Sequence, residues 1–180
     1  MKPASKDLVG IISFKSQHRF SIEALIEYDQ KGYPRDTLFL TMDADMKGSN
    51  LIIMSIESND LGNIVHAAKE LLAVGYEIVL QNKAFKRTTS YRKFTKSSRF
   101  STTLFFGVKS KPVYSKKDKA IPSHHVAVYY LNMRREGITY SISFDKYGLN
   151  TFIDKCVFLI QKLDDALFEA QIVSNRRSIN

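Results

Sequence analysis

The sequence predicts an α+β protein of two tandem four-strand-plus-helix units, with antiparallel sheets and the helices packed on one side. Three observations carry that expectation. Sliding the chain against itself by 88 positions aligns residues 51–72 with 139–160 without a gap. In both segments the apolar pattern changes from alternation, the mark of a half-buried strand, to the three-and-four spacing that makes one stripe on a helix. Glycine-bearing turns, Lys47-Gly48-Ser49-Asn50 and Arg134-Arg135-Glu136-Gly137, precede the last strand of each unit, where a tight hairpin needs positive backbone dihedrals.

Taken in order, alternation predicts strands at 8–15, 20–29, 36–44 and 50–57, with Lys31-Gly32-Tyr33-Pro34 turning the chain between the second and third. Leu61, Ile64, Val65, Ala68, Leu71 and Leu72 give a helix over 60–74, and Gly75 reads as its stop. A second set of strands is expected at 76–87, 100–109, 124–134 and 137–145, before a helix over 149–170. Across the repeat, Ile52, Met54 and Ile56 fall on Tyr140, Ile142 and Phe144, while Ile64, Val65 and Ala68 fall on Phe152, Ile153 and Cys156. At the same offset Leu38, Leu40 and Met42 overlie Val126, Val128 and Tyr130.

The units, 1–75 and 76–180, are expected to form one integrated domain, since 180 residues with 44% hydrophobic content can bury roughly 70% of their unfolded surface. The single Cys156 excludes an internal disulfide and, in an apolar helical run, reads as a small core residue. No stretch approaches the ~20 apolar residues that span a bilayer, and the first residues lack the apolar run of a secretory signal. A cytoplasmic, DNA-associated protein without a membrane partner is expected.

Residues 78–117 hold eleven Lys or Arg and no acidic residue, whereas the remainder holds 16 basic against 18 acidic side chains. The whole formal charge of +9 therefore sits in one window. Its cations, Lys83, Lys86, Arg87, Arg92, Lys93, Lys96, Arg99, Lys109, Lys111, Lys116 and Lys117, are interleaved with Phe85, Tyr91, Phe94, Phe100, Phe105 and Phe106. Cations neutralise phosphates and rings stack on bases, so the mixture fits single-stranded nucleic acid better than bare phosphate. A merely solvated loop has no need of six aromatics.

The segment from Arg134 through Gly137 to Phe144 and Asp145, followed by a helix carrying Gln161-Lys162-Leu163-Asp164-Asp165, resembles the last strand and helix of the transcriptional coactivator called positive cofactor four. The doubled unit is similar to the Whirly and Pur-repeat proteins. The resemblance implies a sheet surface that binds single-stranded DNA and helices used for assembly. The coactivator's tryptophan has no counterpart here, so stacking would fall to Tyr or Phe; the plant Whirly Lys-Gly-Lys-Ala motif is also missing.

If Tyr140, Ile142 and Phe144 face the helix, then Thr139, Ser141 and Ser143 lie on the open face, and His125, Ala127, Tyr129 and Leu131 are expected beside them, with Thr103 and Phe105 from the neighbouring strand. Tyr129 and Phe105 are the expected stacking platforms. Residues 83–99 are expected to form a cationic hairpin, flanked by Arg134 and Arg135, and residues 109–122 a loop able to clamp a strand. Single-stranded DNA, bound with weak sequence preference in replication, recombination or transcription, is the expected partner; a phage accessory protein is one such setting. RNA is the alternative, because stacking and phosphate contacts do not distinguish the sugars.

Two other classes compete. Asp43 and Asp45, on one face of a strand, with Glu57 on its hairpin partner, could hold a magnesium ion and are the sharpest catalytic alternative, a magnesium-dependent nuclease. A basic adaptor for acidic proteins would use the same cations with the aromatics in the core. His18, His66, His124 and His125 lack metal-binding spacing, and neighbours in a strand point to opposite faces, so no metal, cofactor or catalytic role is expected. The last helix, with Phe152, Ile153, Cys156, Val157, Phe158, Leu159, Ile160 and Leu163, is apolar on more than one side, which predicts a homodimer or higher assembly through the helices.

Overall fold

In the computed structural model, which describes residues 6–15, 18–43, 51–82, 88–96, 101–116 and 121–179, the chain forms two four-stranded antiparallel meanders and two helices. The first sheet is β1 (Lys6–Lys15), β2 (Arg19–Tyr28), β3 (Pro34–Asp43) and β4 (Leu51–Ile56), in that spatial order, followed by α1 (Ser58–Gln81). The second is β5 (Thr88–Lys96), β6 (Ser101–Tyr114), β7 (Pro122–Arg135) and β8 (Ile138–Phe144), followed by α2 (Lys146–Ile179). The helix starts, Ser58 and Lys146, stand 88 residues apart, the offset of the sequence repeat. Leu61, Ile64, Val65, Ala68 and Leu71 and their equivalents Leu149, Phe152, Ile153, Cys156 and Leu159 are all buried.

Each helix packs mainly on the sheet of the other unit. α1 lies across β5, β6 and β7, and α2 lies along β1, β2 and β3, with the two helices touching where they cross. The apolar rows of both sheets and both helices consequently form one continuous core. Its centre is a ring cluster in which Phe152 of α2 sits 5.2 Å from Phe14, 5.3 Å from Phe144, 5.7 Å from Phe106 and 6.4 Å from Phe20. These rings come from β1, β8, β6 and β2, so one side chain ties both sheets together; ring pairs of this kind add about 0.5–1.5 kcal/mol beyond area burial.

The second unit departs from the sequence reading at its start. Tyr76-Glu77-Ile78-Val79-Leu80, expected as a strand because of its β-branched and aromatic content, is the last part of α1. Leu71, Gly75 and Ile78 recur at helical spacing and are buried on the second sheet, which overrides local propensity. Gly75 is thus not a stop, and the junction between units falls after Gln81, where Asn82 takes the left-handed conformation (φ 45°, ψ 39°). Nor is the segment from Lys109 a loop: β6 runs to Tyr114 and β7 begins at Pro122. The two strands pair beyond the last partners of β5 (Val108) and β8 (Tyr129), forming a two-stranded arm. Gly32 (φ 84°) and the pair Glu136 (φ 51°) and Gly137 (φ 83°) turn the chain as expected; Gly48 lies outside the described residues.

Gly75 is a packing glycine. A Cβ there would stand 2.0 Å from the Tyr129 hydroxyl, so α1 approaches β7 only because this position has no side chain. Gly75→Ala is expected to destabilise the protein by about 1–3 kcal/mol, although the same exchange in an unobstructed helix would stabilise it by about 1 kcal/mol. Urea unfolding should recover that helical gain when Gly75→Ala is combined with Tyr129→Leu.

Candidate nucleic-acid interface

Register assigns the faces of the second sheet. Phe144 and Ile142 of β8 are buried, and they pair with Tyr129 and Leu131 of β7, so these residues share the inner face beneath the helices. Tyr129 is 2% exposed, and burial raises its hydroxyl pKa; it is no stacking platform. The expected placement of His125, Ala127, Tyr129 and Leu131 on the open face is therefore inverted. A two-residue hairpin loop, Glu136-Gly137, sets Arg135 opposite Ile138, so even positions in β8 face odd positions in β7. His125 lies at the end of α1, its backbone N–H donating to Asn82 Oδ1 at 2.9 Å.

The outer face carries Arg92 and Phe94 of β5, Thr103, Phe105, Lys109 and Lys111 of β6, Arg134 of β7, and Thr139, Ser141 and Ser143 of β8. Arg92, Lys109, Lys111 and Arg134 are exposed. Phe94 is 57% exposed and pairs with Thr103, which pairs with Arg134; Arg92 pairs with Phe105 one step along. A ring and a cation thus alternate across neighbouring strands. Tyr130 and Asn132 occupy the same face of β7 but are buried, with the Tyr130 hydroxyl over Gly107 donating to the Thr88 carbonyl at 3.1 Å. No Asp or Glu occurs in β5, β6, β7 or β8.

Three expected contacts belong to the interior instead. Tyr91 and Lys93 pair with Phe106 and Leu104, which places them on the inner face. There the Tyr91 hydroxyl donates to Asp60 Oδ1 at 3.3 Å and Lys93 Nζ lies 2.9 Å from both Asp60 oxygens. Asp60 also accepts the Glu57 N–H at 3.3 Å, so this carboxylate holds the first turn of α1 against β5. Arg135 turns inward as well, donating from Nε to Thr102 Oγ1 at 3.1 Å and from Nη2 to the Ile53 carbonyl of β4 at 2.7 Å. Lys96 closes β5 opposite Ser101. Lys83, Lys86, Arg87 and Arg99 lie outside the described residues.

The outer face of the first sheet has a different charge arrangement. Three of its four strand cations stand beside carboxylates, Lys6 with Glu27 at 2.5 Å, Arg19 with Asp43 at 2.9 Å and Arg35 with Asp29 at 3.8 Å, while Lys15, opposite Arg19, is exposed. The Lys6 hydrogen bond holds the Glu27 carboxyl below its usual range, and the backbone N–H of Tyr33 does the same for Asp29. Asp43, 1% exposed, is engaged by Arg19, and Asp45 lies outside the described residues. Asp43 pairs with Leu51 at the start of β4, whereas Glu57 follows its end, 6 residues or roughly 20 Å away. Asp43 and Glu57, two members of the expected magnesium set Asp43, Asp45 and Glu57, are therefore not brought together. Among the described residues no three His, Cys, Asp or Glu side chains come together to hold a metal ion.

Cys156 is fully buried, and its thiol pKa is raised by that burial. No described helix is long and apolar enough to cross a membrane. No protein-family model and no curated protein matches this sequence.

The raised tyrosine pKa values predict that stability falls in alkali. Burial, with the Asp60 charge next, raises the Tyr91 pKa above its ordinary value near 10. The unfolded chain then loses this proton first as pH rises, so stability is full below about pH 10 and declines above it. Urea midpoints measured at pH 9.5, 10.2 and 11 (chosen to span roughly that value) should fall less steeply for Tyr91→Phe than for the parent protein.

Proposed function

We propose that the outer face of the β5–β8 sheet binds single-stranded nucleic acid, with single-stranded DNA as the principal ligand and weak sequence preference. The observation that carries this reading is the asymmetry between two similar sheets. In one, three of the four strand cations, Lys6, Arg19 and Arg35, stand beside carboxylates and the strands hold five acids; in the other, Arg92, Lys109, Lys111 and Arg134 share a face with Phe94 and Phe105 and no strand contributes an acid. Phosphate contacts supply affinity, and the rings supply a platform for unpaired bases that does not choose among them. The resemblance to positive cofactor four, Whirly and Pur-repeat proteins belongs to the same proposal, as does a role in replication, recombination or transcription.

The ligand class follows from the rings. A duplex hides its base faces, so Phe94 and Phe105 contribute only when bases are unstacked. Nothing on this face reads a base edge in a fixed pattern, and exposed Thr139 and Ser143 offer hydroxyls that suit phosphate or sugar oxygens equally.

Fluorescence anisotropy with a labelled oligothymidylate of about 20 nucleotides, the matching RNA, and a duplex tests the reading. The four described cations alone give a salt slope of about −3, or roughly a fifty-fold loss of single-strand affinity between 50 and 200 mM salt. Charge reversal at Arg92, Lys109 or Arg134 weakens binding to all three ligands. Phe94→Ala is expected to cost about 1–3 kcal/mol on single strands only, and Lys93→Met, which loses an internal ion pair, leaves affinity unchanged. Equal affinity for RNA would widen the ligand class; salt-independent binding, or indifference to Phe94→Ala, would overturn the proposal.

A further inference from the structure

Beyond the nucleic-acid reading, and independently of it, we propose that an open groove beside α2 receives the β6–β7 arm of a second copy of this chain. The groove lies between the start of β1, the end of β2 and the C-terminal half of α2. Its floor is apolar, made by Val9, Ile26, Ala166 and Ala170, and Leu8 (57% exposed) and Val173 (48% exposed) stand at its mouth. Asp7, Asp165 and Glu169 line it with carboxylates. Lys162 is its one lining cation, and that ammonium lies 5.0 Å from the centre of the Phe158 ring, drawn to its face. Among the described residues β1 pairs only with β2, so no further strand closes this edge.

An apolar floor with an acidic border fits a basic segment bearing a few apolar side chains. Charge complementarity selects the occupant from this chain itself, because residues 78–117 hold 11 basic and no acidic side chains while the remainder, which builds the groove, holds 16 basic and 18 acidic side chains. The β6 half of the β6–β7 arm belongs to that window, and the arm projects past its neighbouring strands. It presents exposed Lys111 and Lys116 for the carboxylates and Tyr114 (48% exposed) for the floor, with Ile121 (69% exposed) at the start of the returning strand. The arm is anchored beside Asn82, at the end of α1, whereas the groove follows α2 toward the Gly32 turn, where Ser174 Oγ donates to the Gly32 carbonyl at 3.1 Å. Arm and groove are different surfaces, so their union is head-to-tail and can extend through successive copies.

Sedimentation velocity of protein freed of nucleic acid, at low and high salt over a range of concentrations, tests this assembly. The parent chain should associate progressively at low salt and dissociate as salt rises. A groove variant, Asp165→Lys with Glu169→Lys, and an arm variant, Lys111→Glu with Lys116→Glu, should each associate about tenfold or more weakly. Mixing the two should restore a single one-to-one pair and nothing larger, because one partner keeps an intact arm and the other an intact groove. A monomeric parent chain, groove variants that assemble like the parent, or a mixture that does not pair would each overturn the proposal. Since no polynucleotide is present, these outcomes leave the nucleic-acid reading untouched.

Discussion

Each helix has an apolar stripe that must be buried, and it is buried mainly on the sheet made by the other unit. This exchange organises the molecule. It makes two units that resemble each other in sequence into one folding body with one core. It also uses up the inner face of both sheets, leaving the outer faces as the surfaces available for function. Two local devices hold the exchange in register: Asp60, which caps the first turn of α1 while binding Tyr91 and Lys93 of β5, and Phe152, whose ring meets rings from both sheets.

Duplication of this kind gives two outer faces that can diverge without disturbing the core, because alternate residues of a strand answer to different constraints. The strands of the first sheet carry four basic and five acidic side chains. Lys6, Arg19 and Arg35 face Glu27, Asp43 and Asp29, and a polyanion would have to compete with those carboxylates for each cation. The second sheet has no acid on its strands, and Lys93, which is tied to the Asp60 carboxylate, points inward to the helix. Electrostatic function and packing function are thus separated by the face of a strand.

Much of the architecture was legible in the sequence. The gapless repeat located β4, α1, β8 and α2, and alternation placed β1, β2 and β3 to within a few residues. The failures have specific causes. Tyr76-Glu77-Ile78-Val79-Leu80 has the composition of a strand, and only the presence of a sheet beneath Gly75 and Ile78 makes it helical. Parity carried from β8 to β7 without counting the hairpin loop puts Tyr129 on the outer face; the two loop residues, Glu136 and Gly137, shift it to the inner one. Tyr91 and Lys93 could not be separated from Arg92 and Phe94 by composition, since all four are cations or rings in one run.

The sequence by itself determined the repeat, the alternating and helical segments, and the confinement of positive charge to one window, because periodicity and charge are properties of chain order. Only the tertiary structure decided which sheet each helix covers, how far α1 runs, and which members of the basic window face outward. Those outcomes depend on contacts between residues remote in the chain: Gly75 with Tyr129, Asp60 with Lys93, Arg135 with Ile53. A strand's pattern distinguishes its two faces, but the partner that covers one of them decides which is the interior.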